Sequence, residues 1–371
     1  MRRFVLLLAA LLIAIAAHAQ PVVPPDVTAY ATARTGADGP HVGLVVGVVD
    51  ASGRVAVGFG RVALGDSGAA AGVPDARTRF EIGSVTQTVT GLLLADAVRR
   101  GEGTLDTPVS ALLPDTLALD PRLAATTLAD LSSHRAGLPR LPTNMGSPST
   151  GLDLRNPYAH YDVPRLYAFI EALRPGSGPG AGLDTTRAFA YSNVGAGLLG
   201  HLLARRAGMS YDALVRARVA GPLGLADTYT GPGVDAAREA TGYTAQRAAA
   251  SPWTFTDALA GAGALRSTAD DLLSMLAAYL GLTPSALADA MQAAATPRAD
   301  ATRGRRIGLG WMSGGGDGRL RWHNGGTGGF TAFVGFDTVA RRGVVVLSNA
   351  SVPVDALGMH LLDASVPLEA P

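Results

Sequence analysis

The sequence predicts an α+β fold, with a sheet built from both ends of the chain and a helical subdomain inserted between. Three observations predict it. Two valine-rich runs around a glycine-containing turn stand near the N-terminus, helical patterns separated by loops fill the middle, and strand-like runs return after about residue 307. With 371 residues, 47% of them hydrophobic, the chain can bury one large core or two coupled subdomains. A charged share of only 16% excludes a charged disordered chain.

The chain opens on Met1-Arg2-Arg3, an apolar run over 4–17 and the small residues of Ala17-His18-Ala19. A basic start, a short greasy core and a small-residue cut site predict a secretory signal peptide over 1–19, cleaved after Ala19. The apolar run is shorter than the ~20 residues that span a bilayer. Its short basic region favours the ordinary export route over the twin-arginine one. The expected location is periplasmic or secreted, with no membrane span after cleavage.

A proline-rich stretch runs to Pro25, and a short helix is expected over 26–34. Segments 43–49 and 54–60 flank Asp50-Ala51-Ser52-Gly53 and read as a β-hairpin. From Thr86 to Val98 nearly every residue is apolar or small, and Arg99-Arg100-Gly101 closes the run. Cations followed by glycine mark a helix C-terminus, and a helix apolar on all sides belongs at the centre of the molecule. Helices are expected over 163–173, 194–206 and 269–280. Segments 141–160 and 174–184, dense in Pro, Gly, Ser and Asn, read as surface loops. Strands are expected over 307–312, 320–323, 331–337 and 343–348, with a turn at Arg341-Arg342-Gly343 and a closing helix over 354–362. No internal repeat is visible. The simplest closure is a mixed sheet from about 20–82 and 262–371 holding a helical subdomain from about 83–261, with the ligand crevice between the two.

Composition narrows the chemistry. Thirty-one basic residues face 30 acidic ones, so there is no basic excess for nucleic acid. The absence of cysteine excludes disulfides, thiolate catalysis, iron–sulfur clusters and Cys-based zinc sites. There is no lysine either; every basic residue is an arginine. A Gly-x-x-x-x-Gly-Lys phosphate loop is therefore impossible, and no Gly-x-Ser-x-Gly elbow occurs. The seven histidines are scattered with no metal-ligand spacing. Neither a metal nor an organic cofactor is implied.

Three segments carry the chemistry that remains: Phe80-Glu81-Ile82-Gly83-Ser84-Val85-Thr86-Gln87, Ala190-Tyr191-Ser192-Asn193 and Trp322-His323-Asn324-Gly325-Gly326-Thr327-Gly328-Gly329-Phe330. In order and separation the chain resembles the serine β-lactamase and penicillin-binding-protein superfamily, in particular its class C-like branch. Flanking stretches such as 133–139 and 261–267 share the likeness, which covers nearly the whole mature chain. It implies a β-lactamase/transpeptidase-like, mainly antiparallel sheet flanked by helices. It implies Ser84 as nucleophile, Tyr191 in proton transfer, His323 facing the serine, and Asn193, Asn324 and Gly325 lining the substrate. The N–H groups of Ser84 and Gly326 would form the oxyanion hole.

Read from the residues, Ser84 stands where a strand-like segment meets the apolar helix, whose free N–H groups favour a developing oxyanion. A simple helix cap is the plain alternative. Tyr191 and Asn193 also read plainly as a half-buried aromatic and a cap. The glycines at 325–326 and 328–329 leave room for a ligand against the strand backbone. Gln87 departs from the pattern, because the family places lysine three residues after the serine. An amide has no accessible pKa and is expected only to hold Ser84 by a hydrogen bond. A histidine of ordinary pKa, ~6.5, is mostly neutral at pH 7 and can accept a proton. The relay expected from the retained groups therefore runs from Ser84 through Tyr191 to His323. The sequence supports two functions: an acyl-transferring hydrolase of an ester, β-lactam or D-amino-acid peptide, impaired by Gln87, or a catalytically dead relative that binds cell-wall peptide or a small ligand. It does not set the oligomeric state.

Overall fold

The computed structural model describes residues 20–368, apart from 66–71, 147–151, 175–182, 185 and 234. The expected signal peptide and most of the 174–184 loop lie outside the described residues. Strands β1 (Gly43–Asp50) and β2 (Gly53–Gly60) form the hairpin read from the sequence, in register from Gly43↔Gly60 to Asp50↔Gly53. Three short strands follow: β3 (Phe80–Glu81), β4 (Tyr229–Thr230) and β5 (Leu265–Ser267). The C-terminal part supplies β6 (Ala299–Asp300), β7 (Arg306–Ile307), β8 (Met312–Gly314), β9 (Leu320–Gly326), β10 (Thr331–Asp337) and β11 (Arg342–Ser348).

The main sheet runs β2-β1-β11-β10-β9-β8-β7-β6, so the two ends of the chain meet where β1 pairs with β11. Every pairing in it is antiparallel, which corrects the mixed sheet expected from the pattern alone. A second, three-stranded sheet runs β3-β5-β4.

Both faces of the main sheet are covered, which explains why its strands read as continuous apolar runs. Along β1, Leu44, Val46 and Val48 pack in one cluster with Leu357 and Leu361 of helix Asp355–Leu362 and with Val354, which precedes it. Val45 and Val49 point the other way, into the large core with Leu272 and Leu276 of helix Ala269–Tyr279. The alternation is the period of two that a pleated strand imposes.

Helix Thr86–Arg99 is buried from Thr86 to Ala97, as its composition required. Its approach to the C-terminal segment is backbone to backbone. A Cβ at Gly91 would lie 2.0 Å from the Leu309 carbonyl oxygen, and one at Gly310 2.4 Å from that of Gln87. Gly310 has φ +78°. This contact breaks the single strand expected over 307–312 into β7 and β8, with 308–311 laid across the helix. The remaining long helices, Pro25–Arg34, Val163–Ala172, Asn193–Ala207 and Ala269–Tyr279, agree with the sequence reading to within a residue or two. Helix Ala288–Ala295 was not foreseen.

Candidate active site

Ser84 is held from both sides by main-chain pairing. β3 pairs with β5, and Ile82 N–H donates to the Leu265 carbonyl at 3.1 Å. The chain then turns through a 3₁₀ turn, Gly83–Val85, before helix Thr86–Arg99 begins. Ser84 thus sits half-buried one short turn ahead of the helix. The helix cap is Val85, with no side-chain cap bond, so the Ser84 hydroxyl is not engaged as a cap.

Glycines set the distance between this turn and the end of β9. A Cβ at Gly83, where φ is +49°, would lie 2.6 Å from the Gly326 nitrogen. One at Gly325 would lie 2.0 Å from the Ile82 oxygen and 3.0 Å from the Ser84 nitrogen. Only glycine permits that approach, which lays the backbone of Gly83 and Ser84 against that of Gly325 and Gly326. Gly325 and Gly326 extend β9 beyond the 320–323 expected, since pairing continues to Gly326↔Thr331, and Gly328 and Gly329 lie in the bend before β10.

Tyr191 and Asn193 come from the N-terminus of helix Asn193–Ala207. Ser192, not Asn193, is the cap: its Oγ accepts from Gly195 N–H at 2.9 Å and donates to the Pro139 carbonyl at 2.7 Å. That frees the Asn193 side chain, whose Nδ2 donates to Tyr158 Oη at 2.9 Å. Burial pushes the Tyr191 phenol above its ordinary pKa, against the opposing effects of the Ser84 hydroxyl, Arg140 and the Gln87 amide beside it.

Gln87 does not hold Ser84; among the described residues no hydrogen bond joins the two. Its Nε2 lies 2.6 Å from Tyr191 Oη, 3.2 Å from the Ala262 carbonyl and 3.4 Å from Asn193 Oδ1. Three acceptors surround one nitrogen that carries only two hydrogens. Its Oε1 is buried without a partner.

His323, within β9, is buried. Its Nδ1 lies 2.6 Å from the Asn324 carbonyl, which can only accept, so Nδ1 carries the proton and Nε2 the lone pair. Its ring centre is 6.4 Å from that of Tyr191, and no hydrogen bond joins its ring to the Tyr191 oxygen among the described residues. Burial lowers its pKa to about 4, in place of the ordinary value expected from sequence. A second histidine, which sequence reasoning gave no role, lies closer. The His134 ring centre is 4.4 Å from that of Tyr191, and its Nδ1 accepts from Ser192 N–H at 3.2 Å. Burial, with the neighbouring His323, holds its pKa down at about 3.

One cleft of about 530 Å³ is lined by Ser84, Tyr191, Asn193, Asn324, Gly325 and Gly326 together. Gln87 and His323 stand behind its wall. A larger cleft of about 720 Å³, between the β1–β2 turn and Arg341, contains none of these residues. The active cleft is also bounded by Arg140, Tyr158, Trp253 and Asp355, which the sequence did not single out. Arg140 follows directly on the 133–139 stretch, and that adjacency was the one available signal. Trp253 is tied to β3 through Glu81, which accepts from Trp253 N–H and from Arg266, each at 3.0 Å. Among the described residues no cluster of His, Asp or Glu is placed to hold a metal ion. A hydroxyl beside a phenol, in a cleft that the backbone of Gly325 and Gly326 also lines, is an arrangement suited to attack on a carbonyl.

Comparison with known proteins agrees with this geometry. The family described as Beta-lactamase matches residues 29–367. A beta-lactamase of Escherichia coli (strain K12) is 27% identical over 314 residues, covering 75% of this chain and 77% of that protein. An esterase of Burkholderia gladioli is 33% identical over 162 residues, covering 40% of this chain and 38% of that protein. Among solved structures, a class C beta-lactamase from Rhodobacter sphaeroides superposes with a TM-score of 0.75 at 26% identity, covering 92% of this chain and 99% of that one.

Proposed function

The chain belongs to the Beta-lactamase family, and from that premise we propose that it is an exported serine hydrolase, periplasmic or secreted, whose turnover is slowed by Gln87. Ser84 Oγ attacks the carbonyl of an ester, β-lactam or D-amino-acid peptide. The oxyanion is held between the Ser84 and Gly326 N–H groups, the leaving group takes up a proton, and water later releases the acyl group from Ser84. The observation that supports this reading is the glycine-dependent approach of Gly83 to Gly326 and of Gly325 to Ile82 and Ser84, in the cleft that Ser84 and Gly326 line.

The proton is the weak point. The Tyr191 phenol is raised by burial, so at pH 7 less than the ~10⁻³ of an ordinary tyrosine is ionised. His323, held down at about 4, is a poor base, and its ring centre stands 6.4 Å from that of Tyr191 with no hydrogen bond between them among the described residues. The relay through His323 therefore has less support than the rest, and Tyr191 alone is the group in reach of Ser84. Loss of a general base costs about 10²–10⁴ in rate.

Intact-mass spectrometry after exposure to a fluorescent penicillin and to a fluorophosphonate tests the proposal. A stoichiometric adduct on Ser84, absent in Ser84→Ala, is expected. A second reading, a binder of cell-wall peptide or a small ligand that does not turn over, is favoured by the amide at position 87. Measurable ligand binding with no adduct from either probe would establish it.

A further inference from the structure

The active cleft carries one charge on each wall. On the helical side, Arg140 lies with its guanidinium carbon 4.9 Å from the Tyr191 ring centre. On the sheet side stands Asp355, the first residue of helix Asp355–Leu362, half-buried and beside Asn324. Both line the same cavity as Ser84. Neither forms an ion pair among the described residues. The cation that acts on Asp355 is Arg305, and its guanidinium lies over the Trp322 ring, 5.3 Å from its centre.

A carboxylate at the first position of a helix is favourable to the helix by itself. Two observations say that this one does more. It lines the cavity, and burial raises its pKa in spite of the helix end and Asn324, so its charge is undercompensated in the free protein. A cation arriving at the wall would supply that compensation, and a carboxylate arriving there would meet like charge.

Resting on the reading of Ser84 as nucleophile, we propose that the sheet wall of the cleft, through Asp355 and Asn324, selects substrates that carry a positively charged group and discriminates against those that present a carboxylate there. The amide of Asn324 positions the carboxylate, and Gly325 and Gly326 keep the wall open.

Three fluorophosphonates of equal length test this, tipped with trimethylammonium, with its neutral tert-butyl isostere and with a carboxylate. In each, the Ser84 oxygen bonds to phosphorus as the P–F bond breaks, and the hydroxyl proton leaves with fluoride. Labelling of the cationic probe is expected to be about tenfold faster than that of the carboxylate probe, or about 1.4 kcal/mol, with the neutral probe between. Asp355→Asn should abolish the preference for the cationic probe and, with Arg140 the remaining charge on the cleft, shift the advantage towards the carboxylate probe; Asp355→Glu should keep the original order. Labelling with equal rates in the unaltered protein overturns the charge selection and leaves the nucleophile intact. If no probe labels Ser84, the nucleophile reading fails, and calorimetry reads the wall directly. Acetylcholine should then bind more tightly than 3,3-dimethylbutyl acetate, and equal affinities overturn the proposal.

Discussion

Replacing Gln87 with lysine should raise hydrolysis by about 10²–10⁴-fold, or about 2.7–5.5 kcal/mol of barrier. The amide nitrogen occupies a pocket with three acceptors at 2.6, 3.2 and 3.4 Å and fills two of them. An ammonium has three hydrogens, so each acceptor would gain its donor. A positive charge about 3 Å from the phenolate oxygen attracts it by about 5.5 kcal/mol at an effective dielectric constant of ~20. Desolvating the ammonium in a site only 3% exposed takes back several kcal/mol, which leaves a gain within the range of a recovered general base. The assay is steady-state hydrolysis of a chromogenic ester and a chromogenic cephalosporin, with melting temperature as the folding control. Gln87→Met, which removes the amide and adds no charge, should show no gain. If the lysine variant folds normally yet improves turnover by less than about threefold, or about 0.7 kcal/mol, the base is not what the site lacks and the reasoning fails.

Other outcomes follow from the same geometry. Ser84→Ala should abolish covalent labelling while moving stability by no more than about 0.5 kcal/mol, because the hydroxyl caps no helix; a large drop in melting temperature would mean a structural serine. Gly325→Ala should slow labelling by about 10²-fold or more, since its methyl would stand 2.0 Å from the Ile82 oxygen and part the two N–H groups; undiminished labelling would place the oxyanion hole elsewhere. Stability should also fall steeply in acid. His41 and His323 are held at about 4 and His134 at about 3 by burial. Folded-state values below the unfolded ~6.5 mean that the unfolded chain binds more protons, so stability is lost as pH falls through the window from ~6.5 towards ~4. Three such sites approach a slope of about 4 kcal/mol per pH unit. Glu81, Asp271 and Asp355, raised by burial, oppose it in the lower part of that window. Urea titrations at pH 7, 6 and 5 read the slope, and a flat profile refutes it.

What the sequence showed and what it hid divide along a physical line. The hairpin, β10 and the buried helix were legible because each is a segment of seven or more residues with one continuous apolar pattern. β3, β4 and β5 were not, since strands of two or three residues leave no period to read and exist only through pairing across the chain. The site follows the same division. Ser84, Tyr191, Asn193 and the glycines of β9 could be named from motif order, and they meet in one cleft. The two histidines could not be assigned by type alone. What decides their chemistry is burial, which lowers both pKa values and keeps both rings neutral, and the tertiary placement that puts His134 rather than His323 nearer the Tyr191 ring. Gln87 is the sharpest case. Its identity announced a missing base, but the direction of its amide, towards Tyr191 and away from Ser84, depends on Ala262 and Asn193, far off in the chain. The pocket therefore retains three acceptors suited to an ammonium around a residue that cannot become one.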